Sequence, residues 1–493
     1  MRIAEHPLVK LVREIIPADI DVFLIGGALR DELLKRPVAD FDFTLAHSAF
    51  YYARKIANRI GGAFFPLDEE RQTGRVLWQD QEGKRYKMDF SLLRGASLEE
   101  DLQTRDFTIN ALAMDVHDPT HIYDPLGGAQ DLWQHTLRVC SRNSLTEDPL
   151  RILRGIRLAV LLDLHIHPQT WHLMQSAVQG LERVSAERIR DELFHILVQN
   201  KSASALQIIE RLGALDFTFP ELLTIQGVRQ SPPHYLDVYQ HTLRVVQNIE
   251  EVSGVLTQPP ETGWQANLIS GMTSQQLGRY RAEIAAYLQH EIVPERPLLG
   301  LLKLAGLYHD SGKAQAQTED DAGRIHFYGH EEFSAQAVAQ RMRQLAFANT
   351  EIEWVSLVVL HHMRPINLAL ADTPPSAKAI YRFYRAVNEA GIGIGLLSLA
   401  DVLGAYGTAV TATVWQRQLD IVRILFEAWW EKKPQLIKPA RLLNGNDLME
   451  MLGLPPGPQI GKLLEAIQEA QVSGEIADQS QALELARHLL NQG

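Results

Sequence analysis

The sequence predicts an α+β chain: a small mixed-sheet head, with helices making up the rest. Three observations carry that prediction. Residues 1–140 alternate strand-like and helix-like runs. From about residue 145 the apolar residues recur at three- and four-residue spacing, the period of helices with one buried face. Pro220, the string Ser231-Pro232-Pro233 and a Lys/Pro stretch over Glu431–Pro439 divide the helical part into blocks.

Taken in order, Asp21–Ile25 reads as a strand, Ala28–Lys35 as the start of a helix, Ala39–Leu45 as a strand and Ser48–Ile60 as a helix. Arg75–Gln79 and Arg85–Leu92, joined by the Gly-containing segment Asp80–Lys84, read as a hairpin. Phe107–Val116 and Ile122–Tyr123 complete the sheet. Helices follow over Leu150–Leu162, Pro168–Gly180, Ala186–Val198 and Ala203–Leu212. A second helical block covers 234–430, within which the Gln-, Pro- and Gly-rich Gln258–Arg296 reads as an insertion. The tail carries the turn Gly453-Leu454-Pro455-Pro456-Gly457-Pro458 and a long helix from Ile460. The domain division expected is 1–140, 141–230, 231–430 and 431–493.

The 493 residues suffice for several domains, and 46% apolar residues suit a globular protein. One cysteine, Cys140, excludes an intrachain disulfide and suits a reducing compartment. No leader pattern and no run of about eighteen apolar residues is read, so a cytoplasmic protein without a membrane span is expected. The net charge of −12 argues against a non-specific nucleic-acid coat. Locally the balance reverses: from Arg138 to Arg190 stand eight Arg, no Lys and five acids. Arg offers a planar fork for phosphates and base edges.

The richest chemistry lies near the start. Leu24-Ile25-Gly26-Gly27-Ala28-Leu29-Arg30-Asp31 is a glycine turn entering a helix, and Asp40-Phe41-Asp42-Phe43 follows nine residues on. Two apart on a strand, Asp40 and Asp42 share a face while Phe41 and Phe43 take the other. Hard oxygen ligands on one rigid strand suit a pair of Mg²⁺ ions that join a nucleoside triphosphate to an attacking hydroxyl. Gly26-Gly27 lets backbone approach phosphates, with Arg30 on the following turn. Further on come Arg105-Asp106-Phe107-Thr108-Ile109-Asn110, Glu147-Asp148-Pro149-Leu150-Arg151, and Glu187-Arg188 with Glu192. Asp148, Arg151, Arg154 and Arg157, each three apart, read as one helical stripe that sets an acceptor beside donors, as a template strand would present them to a base edge.

This ordered set resembles the bacterial-type, class II tRNA nucleotidyltransferase and poly(A) polymerase family. The resemblance implies that Asp40 and Asp42 hold two Mg²⁺ and that Gly27 and Arg30 cradle the triphosphate. It places Asp106 and Asn110 near the ribose with Arg105 beside them. It gives base selection to Asp148 and Arg151, supported by Arg154 and Arg157, and makes Glu187, Arg188 and Glu192 a brace for the neck. The substrates implied are a tRNA 3′ end with CTP and ATP. Thr104 stands where the family usually has an Arg. Asp106, where the poly(A) branch usually has Arg, favours tRNA maturation over poly(A) synthesis. Only Ser91-Leu92-Leu93-Arg94-Gly95-Ala96 separates the Lys87–Phe90 strand from Ser97-Leu98-Glu99-Glu100-Asp101-Leu102, where CCA-adding relatives carry a longer charged loop. Its loss is associated with enzymes that add two C residues and stop. CC addition is therefore expected ahead of full CCA addition, and would imply a separate A-adding enzyme.

The second helical block contains His241, His309-Asp310, His330, His361-His362 and Asp401. Imidazole and carboxylate ligands spread over several helices suit a divalent metal. Their order resembles the HD phosphohydrolase superfamily. By that resemblance His241, His309, Asp310 and Asp401 bind one metal, and His330 and His361 serve a second metal or the phosphate. Ser311 replaces the usual aliphatic residue. The body is thus expected to be HD-type, with metal-dependent phosphohydrolase activity. Two other readings stay open: an HD phosphohydrolase with a nucleotide- or RNA-binding head, and a non-catalytic RNA-binding protein.

Overall fold

A computed structural model describes residues 2–69, 72–258, 267–371 and 373–492. The chain divides into two compact units, Met1–Glu192 with Gln207–Phe217, and Leu193–Leu206 with Thr218–Gly493.

The first unit contains a six-stranded sheet: β1 (Val22–Ile25), β2 (Asp40–Leu45), β3 (Ala63–Asp68), β4 (Thr73–Gln79), β5 (Arg85–Leu92) and β6 (Ala113–Asp115), in the order β3-β4-β5-β2-β1-β6. Only β2 and β5 are parallel; the other neighbours are antiparallel. Phe41, Phe43, Met88 and Phe90 are buried on one face, where Phe43 and Phe90 stack at 5.0 Å. The helix Ala49–Ile60 packs against β3, β4 and β5.

Three departures from the sequence reading have physical causes. Ala63–Asp68, to which the sequence reading assigned no element, is an edge strand; Pro66 is tolerated because an edge leaves backbone N–H groups unpaired. Phe107–Val116 is not one strand: Thr108–Asn110 forms a 3₁₀ turn before the short β6. The Asp106 carboxylate accepts from the Phe107 N–H and the Asn110 amide, and this local polar network overrides the β-propensity of the run. Tyr123 contributes only an isolated bridge to Ala113.

The helices Arg151–Leu161 and Pro168–Ala177 of this unit, and Ala186–Leu197 and Ser202–Arg211, each divided between the two units, fall within a few residues of expectation. Asp148, however, follows the short helix Ser144–Glu147 in extended conformation and does not share a helix with Arg151.

The second unit is helical. Val238–Thr257 packs on Ala390–Tyr406 and on Leu298–Tyr308, and Asn349–His361 packs on His330–Gln344. The segment Ala390–Ala409 is long and apolar enough to cross a membrane by length and composition, contrary to the expectation that no such run exists. Of its most apolar window, 83% is buried, so it serves here as a core helix. The insertion expected over 258–296 has secondary structure of its own. Residues 259–266 lie outside the described residues, but Leu268–Leu277 and Arg281–Gln289 are helices, and Leu277, Tyr280, Ile284 and Leu288 are buried. In the tail, Leu443, Leu448, Ile460, Leu463 and Ile467 share an apolar cluster. Glu469 of the helix Pro458–Ser473 pairs with Lys378 at 3.0 Å and with Arg382 at 2.5 Å.

Candidate active sites

In the head, Asp40 and Asp42 project from β2 on the face opposite Phe41 and Phe43. The parallel register sets Asp40 opposite Lys87 and Asp42 opposite Asp89. Lys87 Nζ lies 3.0 Å from Asp40, and Arg75 holds Asp89 through two hydrogen bonds of 2.9 Å. Asp89, Lys87 and Arg75 were missed from sequence, although the alternation of Lys87 and Asp89 with buried Met88 and Phe90 carried the signal. Burial, then the facing Asp89, raise the Asp42 carboxyl pKa; Arg105, Arg154 and Lys87 pull it down. A buried carboxylate opposite another is a site that a divalent cation would relieve, and the donor set is hard oxygen.

Gly26 turns the chain beside this face with φ +76°, and a Cβ there would lie 3.5 Å from Asp42 Oδ2 and 3.6 Å from Arg105 Nη1. Arg30 folds back over Gly27, donates from Nη1 to Asn110 Oδ1 at 2.6 Å, and reaches Asp31 with Nε and Nη2. Asn110 donates to Asp106 Oδ1 at 3.1 Å, and Arg154 pairs with Asp106 Oδ2 at 2.7 Å. An unbroken polar chain thus runs Asp31–Arg30–Asn110–Asp106–Arg154. Burial alone would raise the Asp106 pKa; Arg154, the Asn110 amide, the Phe107 N–H and Arg151 outweigh it and hold the carboxyl below its usual value. Arg105 is fixed by Asp101 at 2.9 Å.

The structure therefore brings Gly27, Arg30, Asp42, Arg105, Asp106, Asn110 and Arg154 into one connected site, with Asp40 on the same strand face. The expected pairing of Asp148 with Arg151 is not formed. Asp148 takes Arg188 at 2.8 Å, while Arg151 donates to the carbonyls of Thr104, Arg105 and Ser144 and to Ser144 Oγ. Arg157 pairs with Glu192 at 2.8 Å rather than with Asp148. The arginine-rich segment is no bare stripe either, since Arg138, Arg154, Arg157, Arg188 and Arg190 all make ion pairs.

The second unit holds a separate cluster. His241 comes from Val238–Thr257, Asp401 from Ala390–Tyr406, and His309-Asp310 from the end of Leu298–Tyr308. His241 Nε2 lies 3.1 Å from Asp401 and 3.4 Å from Asp310; His309 Nε2 lies 3.2 Å from Asp310 and 3.8 Å from Asp401. On the other side of Asp310 stand His330 Nε2 at 3.2 Å and His362 Nε2 at 3.9 Å. His362, not His361, completes this group. The two differ by 100° around a helix, and periodicity alone did not say which faces inward. His234, also missed, joins His241 and Asp401.

The rings of His309, His330 and His362 each place Nδ1 2.7–2.8 Å from the carbonyl three residues earlier. That contact leaves Nε2 as the lone-pair atom aimed at Asp310. His241 Nδ1 and Nε2 and His309 Nε2 are buried with no hydrogen-bond partner. Such orphaned nitrogens beside two carboxylates fit a divalent cation. Burial would lower the His309 pKa, but Asp310 and Asp401 raise it overall; His362 is pushed down to about 3 by burial and by His309 and His330. Lys313 Nζ sits 2.7 Å from Asp310 Oδ2.

A mixed sheet with a carboxylate strand and an arginine neck, on the same chain as a histidine–aspartate cluster, defines a nucleotidyltransferase with an HD domain. Comparison with known proteins agrees. Residues 22–138 match the family described as the poly A polymerase head domain, 238–406 the HD domain, and 411–486 tRNA nucleotidyltransferase domain 2. The A-adding tRNA nucleotidyltransferase of Deinococcus radiodurans is 32% identical over 93% of this chain and 93% of its own length. The CC-adding tRNA nucleotidyltransferase of Thermus thermophilus is 30% identical over 94% and 92%. A CCA-adding enzyme in complex with ATP shares the fold at TM-score 0.60 and 19% identity, covering 98% of this chain and 94% of its own. The chain belongs to the tRNA nucleotidyltransferase family, and it is an enzyme of that class.

Proposed function

We propose that this enzyme extends the 3′ end of tRNA with two C residues from CTP, in the cytoplasm, and leaves the terminal A to a separate enzyme. The observation that carries the reading of CC addition is the connector after β5. Only residues 93–97 lie between Leu92 and the helix Leu98–Gln103, and they are tied down. The Arg94 N–H donates to Asp101, the Ala96 N–H donates to Glu100, and Ser97 caps the helix through the Glu100 N–H. A segment so short and so bonded offers no lever with which to reshape the pocket from C to A.

The tRNA 3′-hydroxyl oxygen attacks the α-phosphorus of the nucleotide, and pyrophosphate leaves. Asp40 and Asp42 would hold divalent cations, Mg²⁺ in this reading, whose chemistry would be Lewis-acid activation and neutralisation of the leaving phosphates. Gly27 and Arg30 bind the triphosphate, and Arg105, Asp106 and Asn110 orient the ribose. On nucleotide binding Asp148 would exchange Arg188 for the exocyclic amine that C and A share, and Arg151 would exchange a backbone carbonyl for the adjacent ring nitrogen; U and G present a carbonyl where the amine would be. Arg154 and Arg157 hold that pocket in place.

The assay uses the purified protein, Mg²⁺ and a tRNA transcript ending at the discriminator base, with CTP, ATP or both, and products sized to one nucleotide. Two added residues with no third support the proposal. Three make the enzyme CCA-adding. Extension by ATP only of a transcript already ending in CC makes it A-adding. Asp40→Ala with Asp42→Ala should abolish addition while RNA binding persists.

The buried nitrogens of His241 and His309 favour a second activity, metal-dependent hydrolysis of phosphoesters such as a 2′,3′-cyclic phosphate. Here His241, His309, Asp310 and Asp401 would hold a divalent ion, and His330 and His362 would serve a second ion or the phosphate. His309→Ala should remove phosphate release and spare nucleotide addition; loss of both, or of neither, refutes it.

A further inference from the structure

Two of the carboxylates on one face of the head sheet are neutralised by side chains of the neighbouring strands, in different ways. Arg75 grips Asp89 with two arms, from Nε and Nη2 to separate oxygens at 2.9 Å. Asp40 takes one contact, from Lys87 Nζ to Oδ2 at 3.0 Å, and its carboxylate has no other side-chain partner among the described residues. A guanidinium fork on both oxygens is fixed in place, whereas an ammonium on one oxygen is a point contact that can be exchanged.

Lys87 is set against Asp40 by the sheet itself. It lies in β5, between β4 and β2, and its backbone N–H donates to the Ala39 carbonyl at 3.0 Å. The register places it opposite Asp40, and strands about 4.8 Å apart let its four-carbon stem carry the ammonium across. The lysine side chain is 33% exposed and that of Asp40 65%, so the contact is within reach of an incoming ligand and weak enough to break. An ammonium on Oδ2 opposes a divalent cation at the same carboxylate, because like charges a few ångström apart repel. Once released it needs another anion, and the reaction brings one to this face: the triphosphate of the nucleotide.

We propose that Lys87 is the resident counter-ion of the carboxylate site, which holds Asp40 until a divalent cation and a nucleoside triphosphate arrive and then exchanges that carboxylate for the phosphates. This rests on the reading of Asp40 and Asp42 as cation ligands. Lys87 thereby lowers the affinity of the site for the cation alone and raises its affinity for the nucleotide with its cation, coupling the two.

The test compares the full-length wild type with Lys87→Met, which keeps the apolar stem and removes the charge. Free Mn²⁺ is counted by electron paramagnetic resonance without nucleotide, and the head component is the binding that Asp40→Ala with Asp42→Ala removes. CTP binding is measured by calorimetry in saturating Mg²⁺ with no RNA present. Lys87→Met should bind Mn²⁺ at the head about threefold more tightly and CTP about threefold more weakly. The opposed signs separate an exchanged counter-ion from a lysine that merely shapes the strand, whose loss would weaken both. Mn²⁺ affinity that is unchanged or weaker, or CTP affinity that is unchanged or tighter, overturns the inference and leaves the cation reading of the carboxylates standing. A wild type whose Mn²⁺ binding does not depend on Asp40 and Asp42 refutes that reading, and the counter-ion with it.

Discussion

Arg154 and Asp106 form the link on which the polar chain of the head depends, and a double-mutant cycle can measure it. Breaking a fully buried ion pair costs about 3–5 kcal/mol, and an exposed one about 0.2–1 kcal/mol. Asp106 is buried, but the Arg154 side chain is 49% exposed. The Phe107 N–H and the Asn110 amide stay on Asp106 when Arg154 is removed. The expected coupling in stability is therefore about 1–2 kcal/mol. The assay measures CTP incorporation into a tRNA transcript by wild type, Asp106→Asn, Arg154→Gln and the double variant, beside thermal denaturation. The pH dependence has a fixed sign. The folded-state pKa of Asp106 is depressed, so its stabilisation is present above the ordinary carboxylate value of about 3.9 and lost as pH falls through the folded value. The melting difference between Arg154→Gln and wild type should be flat from about pH 8 to pH 5 and narrow in acid. Effects that add to within about 0.5 kcal/mol would show that the pair does not act as a unit.

Arg296→Met should destabilise the second unit by about 3–5 kcal/mol, because Glu351 is fully buried and loses both hydrogen bonds from Arg296. A shift below about 1 kcal/mol in chemical denaturation would contradict that. Gly26→Ala places a side chain at φ +76° beside Asp42, and should cost about 1–2 kcal/mol of strain and lower kcat at least tenfold with tRNA affinity retained. Unchanged kcat would separate Gly26 from the carboxylate face. Affinity for tRNA should fall steeply as salt rises, through counterion release, and a flat salt dependence would count against contacts to the RNA backbone.

Much of this protein was legible because its chemistry is local. Asp40-Phe41-Asp42-Phe43 declares a two-faced strand through a period of two, and the structure places the phenylalanines in the core and the carboxylates opposite. The neck helices showed through their apolar period. What misled was side-chain polar bonding, in one case local and in the other between segments 40 residues apart. Asp106 and Asn110 turned an apparent strand into a 3₁₀ turn, and Arg188 took the carboxylate that Arg151 was expected to share.

The sequence by itself determined the order of the elements, the carboxylate strand, the identity of most candidate ligands and the family, because motifs and periodicities are properties of neighbours along the chain. The tertiary structure alone decided which charges meet. Asp89 faces Asp42 only through the register of β2 with β5. His362 rather than His361 enters the cluster only through the rotation of its helix. Such pairings depend on packing between distant segments, where one residue of register or 100° of helix rotation exchanges a ligand for a bystander.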